Sequence, residues 1–339
     1  MIKNTNIKNV LVTGGSGFIG SNFISQSCIK FKDIKFTNID NLSYAVSRNT
    51  QNELEKFDNY SFHLIDICDL DAVRKILEDT NYDLVVHFAA ESHVDNSISS
   101  PQQFIQTNII GTYNLINTIK EINFKNDCNI LFHHISTDEV FGSLDINDPE
   151  FTELSNLSPS SPYSASKTSS DLLVEAWGKT YGMRYLITNC SNNFGPRQYT
   201  EKLIPKVIMN CLQGKKIPVY GSGKNIRDWL HVNDHIDAIH ALYANGKFIN
   251  ERFNIGGGYE TSNIEIIQLI LEIMKDDYGY SNSNNLIEFV RDRSGHDFRY
   301  AIDNSKLKIA TGWQPSHSFQ DHMKRTIDWY ISHATWWDE

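Results

Sequence analysis

The segment Tyr163-Ser164-Ala165-Ser166-Lys167 places a phenol and an ammonium group four residues apart, in a stretch whose pattern predicts a helix. This spacing puts both side chains on the same face of the helix. An ammonium group beside a phenol favours the phenolate and so lowers the pKa of the phenol. Tyr163 could therefore accept a proton from an alcohol while hydride leaves the same carbon. The alternative is a surface pair, because this spacing is common by chance.

A second candidate for chemistry is the carboxylate pair Asp138-Glu139, which follows Ile135-Ser136-Thr137 at the end of a predicted strand. Ligands bind at the carboxyl ends of parallel strands. Beside a Tyr–Lys pair, one carboxylate could remove a proton from the carbon next to a ketone while the other protonates a departing hydroxyl group. Oxidation of an alcohol needs neither group, whereas elimination of water needs both. The plainer alternative is that the carboxylates cap a helix or loop.

A glycine-rich turn, Val12-Thr13-Gly14-Gly15-Ser16-Gly17-Phe18-Ile19-Gly20, follows the first predicted strand and opens a helix. Gly14, Gly17 and Gly20 permit a tight turn, close approach of the backbone to a pyrophosphate, and tight packing of the helix on the strand. Such turns also join strands to helices without any ligand. This one lies at the first strand and about 150 residues before Tyr163, which favours a dinucleotide site of the short-chain dehydrogenase type.

Asp40 ends the second predicted strand, about 20 residues past the last glycine of the turn. A carboxylate at this place accepts a hydrogen bond from a ribose 2′-hydroxyl and repels a 2′-phosphate. The next residues, Asn41-Leu42-Ser43-Tyr44, include no Arg or Lys that would attract such a phosphate. We therefore predict NAD rather than NADP. The positive pyridinium ring of NAD⁺ would lower the pKa of Tyr163 further.

Two more segments end predicted strands at the same edge of the sheet. Asp66-Ile67 could hold the adenine, and Phe88-Ala89-Ala90 could pass under the cofactor. Each has a structural alternative, because Asp66 could be a helix N-cap and the alanines could be small packing residues. Their position at the carboxyl ends of parallel strands favours the functional interpretation.

The scaffold for these segments can be inferred from an alternation of short β-branched runs with longer amphipathic stretches. Runs that are apolar throughout are typical of strands buried on both faces of a parallel sheet. The predicted strands are 9–13, 34–39, 62–65, 84–88, 130–135 and 184–189. The predicted helices between them include 70–78, 101–122 and 163–181.

After about residue 195 the alternation loosens. We predict a helix at 203–213, a strand at 217–220, a helix opened by the capping box Ser262-Asn263-Ile264-Glu265, and a last helix at 319–333. The fold class is therefore α/β, with a doubly wound, Rossmann-type parallel sheet in residues 1–195 that carries the NAD site and the catalytic residues. Residues 196–339 form a smaller mixed α/β lobe that mainly binds the substrate, and the chain could cross between the two lobes.

Composition limits the possible partners. The chain has 31 Lys and Arg against 41 Asp and Glu, a formal net charge of −10, so we expect neither nucleic acid nor a membrane as a partner. The start of the sequence is polar and does not resemble a signal peptide, which favours the cytoplasm. No metal site is expected, because the cysteines are widely spaced and are not grouped with histidines. They are Cys28, Cys68, Cys128, Cys190 and Cys211.

Taken together, the motifs resemble those of the dTDP-glucose 4,6-dehydratases, a family of extended short-chain dehydrogenases. The similarity covers nearly the whole chain, and Thr-Asp-Glu at 137–139 is its most specific part. The matching segments are Gly14–Gly20, 90–95, 136–140, 163–167, 190–196, 225–232 and 291–297. The sequence departs from the family at Phe141, where Tyr is usual, at Ser294, where Pro is usual, and in the loop 197–200.

The resemblance implies a role for each catalytic residue. Tyr163, helped by Thr137, would deprotonate the glucose 4-hydroxyl while hydride passes to NAD⁺, and Lys167 would hold the ribose and tune Tyr163. Glu139 would then take the C5 proton as Asp138 protonates the departing 6-hydroxyl. Hydride returns to C6, so the product is a 4-keto-6-deoxy sugar and NAD is regenerated within the turnover.

The resemblance also assigns binding residues. The cofactor site gains Phe18, Ile19, Asn41, Ser43, Ser92, Thr107 and Asn193. The substrate, dTDP-glucose, would contact Ser92, Thr137, Asn192, Glu201, Lys202, Leu203, Pro218, Tyr220, Arg227, Asn254, Asp292, His296 and Tyr300. Arg227 suits a diphosphate because its guanidinium group is forked and permanently charged, although a structural pair with Asp228 is an equal alternative. His296 and Asn254 could be ordinary polar residues.

Two other functions remain open. A nucleotide-sugar 4-epimerase or decarboxylase would share the glycine turn, Tyr163 and Lys167 but would not need both Asp138 and Glu139. A non-catalytic NAD-binding regulator should have lost part of the catalytic set, and here none is missing. The resemblance also implies a homodimer through the helices near 101–122 and 163–181.

Overall fold

The structure is a computed structural model that describes residues 7–280 and 283–338, so the polar segment 1–6 lies outside the described residues. The strands are β1 (Asn9–Thr13), β2 (Lys35–Asp40), β3 (Tyr60–Leu64), β4 (Leu84–His87), β5 (Leu131–Thr137), β6 (Tyr185–Cys190), β7 (Asn192–Phe194), β8 (Ile217–Tyr220), β9 (Ile226–His231), β10 (Glu251–Ile255), β11 (Glu260–Ser262) and β12 (Ile287–Val290). The α-helices are α1 (Phe18–Lys30), α2 (Arg48–Leu54), α3 (Leu70–Asp79), α4 (Val94–Ser99), α5 (Pro101–Phe104), α6 (Thr112–Asn126), α7 (Pro162–Tyr181), α8 (Leu203–Gln213), α9 (Val232–Asn245), α10 (Asn263–Tyr278), α11 (Ser305–Thr311) and α12 (Phe319–Ser332).

The largest sheet within the described ranges has seven parallel strands in the order β10-β6-β5-β4-β1-β2-β3. The six strands predicted for its first part are present, with ends shifted by no more than two residues. Strands β4 and β6 are buried at every position, as runs of apolar and small polar residues in the middle of a parallel sheet require. The strand order reverses between β1 and β4, and this reversal opens a crevice at their carboxyl ends.

Helices cover both faces of this sheet. On one face α1 and α9 pack against the strands, around a core that includes Phe23, Ile236 and Phe253. On the other face α3, α6 and α7 enclose a second core that includes Leu115 and Val174. The predicted doubly wound arrangement is therefore confirmed. No helix in the described parts of the chain combines the length and the apolar character that a membrane crossing requires.

The smaller lobe is mixed, as the sequence predicts. It contains the sheet β11-β9-β7, the pair β12-β8, and the helices α8, α10 and α12 around a third core. The predicted capping box at the start of α10 is confirmed, because the Ser262 hydroxyl and the Glu265 carboxylate accept hydrogen bonds from each other's backbone N–H groups. Of the strands of this lobe, β7 contributes Asn192 and Asn193 to the crevice of the large sheet.

The chain does not divide cleanly at residue 195. The chain enters the small lobe after β6 and returns to the large sheet through α9. Strand β10 then pairs in parallel with β6 at the edge of that sheet. The predicted split into 1–195 and 196–339 therefore cuts across the large sheet. The crossing that the sequence analysis allowed for is present.

The helix predicted at 101–122 is interrupted. Between α5 and α6 lies a π-helical segment, Ile105–Gly111, in which Asn108 is buried. The Asn108 side chain accepts a hydrogen bond from the backbone N–H of Glu91 at 2.9 Å and donates to Ser166 Oγ at 2.8 Å. π-Helical segments are frequent at functional sites. Here the segment turns Thr107 toward the crevice.

Candidate active site

A cavity of about 310 Å³ occupies the crevice at the carboxyl ends of the parallel strands. Every residue that the sequence analysis assigns to the cofactor lines it, and so do Thr137, Asp138 and Glu139. Of the predicted substrate residues, Asn192, Glu201 and Lys202 also lie in its wall. Six of the stretches that line the cavity lie at the carboxyl ends of β1 to β6, so they meet at the same edge of the sheet.

The glycine turn has the shape that a pyrophosphate requires. Gly14 has a φ of +69°, and a Cβ atom there would lie 2.5 Å from the backbone nitrogen of Ala89. A Cβ atom on Gly20 would lie 2.4 Å from the carbonyl oxygen of Gly14. The 13-residue helix α1 begins directly after Gly17, so its N-terminal N–H groups face the cavity. The turn, α1 and the cavity therefore fit a bound dinucleotide.

The carboxylates beside this turn are held in place by hydrogen bonds. Asp40 accepts the backbone N–H of Ser16 at 3.0 Å and that of Leu42 at 2.8 Å, while burial raises its pKa. Burial also acts to raise the pKa of Asp66, but the backbone N–H of Cys68 and the side chain of Asn41 bring it below its usual value. Asp66 is not a helix N-cap, because Asp69 caps α3. The structural alternative for Asp66 was therefore wrong.

Tyr163 and Lys167 lie on the first turns of α7, and both are buried. The Lys167 ammonium group donates to the carbonyl oxygen of Ile135 at 2.8 Å. Burial lowers the pKa of Lys167 to about 8, and the charge of Asp171 opposes this shift. The helix begins with a capping box between Ser161 and Ser164, which fixes the first turn. These contacts hold the pair in one orientation at the cavity wall.

The sequence argument predicts that the pKa of Tyr163 is lowered. For the protein groups alone this prediction is wrong. Burial and the nearby charge of Glu139 raise the pKa of Tyr163 well above its ordinary value, while a hydrogen bond with Thr137 lowers it. The sequence argument considered the ammonium group of Lys167 but could not include burial or the carboxylates. A positive pyridinium ring is the contribution that would act in the opposite direction.

Asp138 and Glu139 occupy a 3₁₀ turn, Asp138–Phe141, directly after β5. The turn is capped by the hydroxyl of Thr137, which accepts the backbone N–H of Glu139 at 3.3 Å. Neither carboxylate caps it, so the plainer interpretation of this pair is wrong. Both side chains are instead part of the cavity wall.

The two carboxylates are in different electrostatic surroundings. Burial raises the pKa of Asp138 well above its ordinary value, and the charges of Glu139 and Asp228 add to this. The Oδ2 atom of Asp138 has no hydrogen-bond partner among the described residues. Burial also raises the pKa of Glu139, but three cationic side chains oppose that shift. They are Arg293, Arg227 and Lys202. Asp138 is thus suited to donate a proton and Glu139 to accept one.

Arg227 is embedded in the small lobe beside these carboxylates. Its guanidinium group lies over the ring of Tyr300 at 4.3 Å and donates to the carbonyl oxygen of Asp297 at 3.0 Å. It does not pair with Asp228, whose carboxylate accepts the backbone N–H groups of Gly257 and Tyr259 at 3.1 Å. The proposed structural pair with Asp228 is therefore absent. The positive charge of Arg227 is directed at the carboxylate end of the cavity.

The remaining predicted substrate residues are not part of the cavity wall, and one of them, Asn254, lies in the protein interior. His296 bonds to Asp292 at 2.7 Å, and its ring is 6.4 Å from that of Tyr220. Asn254 is fully buried and donates to the carbonyl oxygen of Phe151 at 2.9 Å, so the structure does not bring it to the cavity. The other three residues of this group are Leu203 at the start of α8, Pro218 in β8 and Tyr300 under Arg227.

Some wall residues were not assigned from the sequence. Glu91, Gln198 and Tyr199 line the cavity, and Arg293 acts on Glu139 through its charge. Gln198 and Tyr199 belong to the loop that departs from the family pattern, so pattern matching gave no reason to choose them. Arg293 lies inside a matched segment, and its charge was a signal that could have been used. No group of three or more His, Cys, Asp or Glu suited to a metal ion occurs among the described residues.

The parallel sheet, the glycine turn and the buried Tyr163–Lys167 pair define the class of extended short-chain dehydrogenases. The family model for GDP-mannose 4,6 dehydratase matches residues 11–326. The chain is 44% identical over 337 residues to a dTDP-glucose 4,6-dehydratase of Haemophilus influenzae, and the match covers 96% of this chain and 99% of the relative.

Solved structures agree with this assignment. A dTDP-glucose 4,6-dehydratase of Bacillus anthracis in complex with NAD has a TM-score of 0.86 and 39% identity, covering 98% of this chain and 99% of that one. A dTDP-glucose 4,6-dehydratase of Streptomyces venezuelae, solved with NAD and dTDP bound, has a TM-score of 0.89 and 38% identity over 97% and 99%. The chain belongs to the dTDP-glucose 4,6-dehydratase family, which confirms the resemblance seen in its motifs.

Proposed function

We propose that this protein is a lyase that converts dTDP-glucose to dTDP-4-keto-6-deoxyglucose and water, with NAD held throughout the turnover. The observation that carries the proposal is the carboxylate pair, buried Asp138 and partly buried Glu139, beside Tyr163 and Lys167 in one cavity. Oxidation alone would use only the Tyr–Lys pair. Two further carboxylates with different surroundings supply the acid and the base that an elimination needs.

NAD is the cofactor that the site fits. The glycine turn and the N-terminus of α1 would hold the pyrophosphate, and Asp40 would accept the ribose 2′-hydroxyl. When bound, NAD accepts hydride from C4 of the sugar and returns hydride to C6. Because each turnover regenerates it, the protein has no need to exchange it between turnovers.

In the oxidation step Tyr163 takes the proton of the 4-hydroxyl group. Thr137, which bonds to Tyr163, holds the same hydroxyl in position. The ammonium group of Lys167 is fixed by Ile135 O and would bond to the nicotinamide ribose. The positive charge of the cofactor and of Lys167 would make the phenolate of Tyr163 accessible in spite of its burial.

In the elimination step the new ketone at C4 makes the C5 proton acidic. Glu139 removes that proton, because three cationic side chains favour its ionised form. Asp138 gives its proton to the departing 6-hydroxyl group, because burial raises its pKa and so favours the protonated form. Glu139, which then carries the C5 proton, can return it to C5 as hydride adds to C6. The proton that Tyr163 took from the 4-hydroxyl group balances the one that Asp138 lost to water. The surroundings thus favour the protonated form more strongly at Asp138 than at Glu139.

The nucleotide diphosphate would lie along the small lobe. The net charge of the chain is −10, so attraction of an anionic substrate must be local. Arg227, Arg293 and Lys202 provide this local charge near Glu139. The fork of a guanidinium group matches a diphosphate in geometry as well as in charge.

We also propose that the protein is a homodimer through α6 and α7. Exposed apolar side chains cluster on these helices and the preceding π-helical segment, with Ile105 at 51%, Leu172 at 52% and Tyr181 at 53% exposure. Tyr113 packs edge-on against Trp177 on the same surface at 5.8 Å. Covering such a patch with a second copy would remove it from water. The cytoplasmic location stays a prediction.

The experiment that tests the proposed function is incubation of the protein with dTDP-, UDP- and GDP-glucose, followed by mass spectrometry. Loss of one water molecule from dTDP-glucose supports the proposal. A product of unchanged mass with inverted C4, identified by NMR, would indicate an epimerase. Loss of carbon dioxide from UDP-glucuronic acid, incubated in parallel, would indicate a decarboxylase. Tyr163→Phe is the control, because it should abolish any of these reactions. A regulator would give no product with any of the four.

A further inference from the structure

Two loops close the cavity on the side of the glycine turn. The first follows β2 and contributes Ser43, Ala45 and Val46, and the second follows β7 and contributes Gln198 and Tyr199. Neither loop is part of a sheet or helix, so contacts with other parts of the chain must hold the loops in position.

The two loops are in contact with each other. Tyr44 donates a hydrogen bond to Glu201 at 3.0 Å, and its ring lies edge-on to Tyr199 at 5.6 Å. The guanidinium group of Arg197 bonds to Glu53 in α2 at 2.6 Å. Together these contacts join the two loops to each other and to α2.

Both loops also contain a backbone conformation that needs support. Leu42 has a φ of +51° and Arg197 a φ of +69°, in the left-handed region that non-glycine residues rarely adopt. Such conformations persist only where the surroundings hold them. The loops would therefore relax if the contacts around them were removed.

The support comes from the last turns of α12 and from the chain that follows it. The carbonyl oxygen of Trp336 accepts hydrogen bonds from Ser47 Oγ and Asn49 Nδ2, each at 2.9 Å, at the end of the first loop. The ring of Trp337 lies edge-on to Tyr199 in the second loop at 5.0 Å. The hydroxyl of Tyr330 donates to the carbonyl oxygen of Gln198 in the same loop.

This segment is itself well anchored. Trp336 packs against Trp329 of α12 at 5.3 Å, and its backbone N–H donates to the carbonyl oxygen of His333 at 2.9 Å. Tyr330 and Trp336 are buried. The segment is therefore held in place by its own contacts. It touches both loops but is not part of the cavity wall.

We infer that Tyr330, Trp336 and Trp337 form a C-terminal clasp that positions the two loops over the cofactor and slows its release. The inference rests on the proposed placement of NAD in the cavity. An enzyme that regenerates NAD within each turnover gains from a slow release, since every loss leaves it inactive until NAD binds again. The clasp residues are positioning residues, because they act through Tyr199, Ser47 and Gln198.

The test is the rate at which bound NAD exchanges with isotope-labelled NAD, measured by mass spectrometry on the purified holoprotein. Trp337→Ala removes the aromatic contact with Tyr199, and Asn49→Ala removes the hydrogen bond to the carbonyl oxygen of Trp336 without changing a clasp residue. We expect exchange to become about 2- to 10-fold faster in each variant. With saturating NAD the turnover number should remain within about twofold of that of the unaltered protein. The loss of a contact between the clasp and a loop leaves the catalytic groups in place.

Two controls make the result specific. Trp337→Phe keeps an aromatic ring and should restore most of the slow exchange, while Phe124→Ala removes a 93% exposed ring on α6 and should leave exchange unchanged. Unchanged exchange in both Trp337→Ala and Asn49→Ala would overturn the clasp, as would a fall in turnover at saturating NAD without faster exchange. If the unaltered protein holds no NAD at all, the proposed cofactor fails together with the clasp.

Discussion

Replacing Asp138 by Asn should stop the reaction after oxidation and before loss of water. The substitution keeps the size of the side chain and removes the proton that the departing hydroxyl group needs. Loss of one positioned acid typically slows a reaction about 10²- to 10⁴-fold. We expect product formation to fall by that factor, while oxidation at C4, which uses Tyr163 and Lys167, continues.

The structure explains why this variant should fold. Asp138 Oδ1 accepts a hydrogen bond from Thr137 at 3.2 Å, and an Asn side chain can keep that bond. Oδ2 has no hydrogen-bond partner among the described residues, so an amide NH₂ in its place breaks no contact. Burial raises the pKa of this carboxyl group and so favours its neutral form, which the Asn side chain resembles in charge. Thermal unfolding should therefore change little, and this serves as the first control.

The assay is rapid mixing of the holoprotein with dTDP-glucose, followed by the absorbance of reduced nicotinamide and by mass spectrometry of the sugar. Asp138→Asn and the double variant with Glu139→Gln should both accumulate reduced cofactor without losing water. Tyr163→Phe should instead slow the appearance of reduced cofactor itself. The carboxylate and phenol variants thus stop at different steps.

One result would refute this reasoning. If the Asp138→Asn, Glu139→Gln double variant makes the 4-keto-6-deoxy product at nearly the normal rate, the carboxylates are not the acid and base. A failure of Asp138→Asn to form reduced cofactor would show that the group serves the oxidation step instead.

Three other predictions follow from the same structure. Asp40→Ala should narrow the preference for NAD over NADP, measured by titration of the cofactor-free protein, and equal binding of both by the unaltered protein would contradict the assignment. Arg227→Ala should raise KM for dTDP-glucose about 10- to 100-fold with a smaller effect on kcat, and Arg227→Lys should lie between, because it keeps the charge without the fork. Burial alone would raise the pKa of Asp171, but His134 and Arg252 hold it below its usual value. The ionised carboxylate therefore stabilises the fold above about pH 4, and this stabilisation is lost as the pH falls. Asp171→Asn should lower the free energy of unfolding at pH 7 by about 3–5 kcal/mol and weaken its acid dependence, measured by urea unfolding between pH 7 and 3.

Much of the site could be predicted because its residues follow strands. The glycine turn, Asp40, Asp66 and the Thr137–Glu139 segment each lie at or just after the end of a strand of the parallel sheet. Once the strands are assigned, their ends must meet at one edge. The type and spacing of these residues then indicate the chemistry.

Other features depend on contacts between distant parts of the chain. The π-helical segment is stabilised by bonds from Asn108 to Glu91 and Ser166, which no local pattern contains. The return of β10 to the large sheet depends on pairing with β6, and this pairing also takes Asn254 away from the cavity. The raised pKa of Tyr163 reflects burial and neighbouring carboxylates. Spacing alone predicted the opposite direction.

The most direct test of the proposed function is the fate of deuterium placed at C4 of dTDP-glucose. If the protein oxidises C4, eliminates water across C5 and C6, and returns the same hydride, NMR of the product should find the deuterium in the C6 methyl group. Unlabelled NAD added in excess should not dilute it, because the cofactor stays bound. Deuterium recovered at C4, in a sugar that has lost no water, would contradict the dehydratase mechanism and indicate an epimerase.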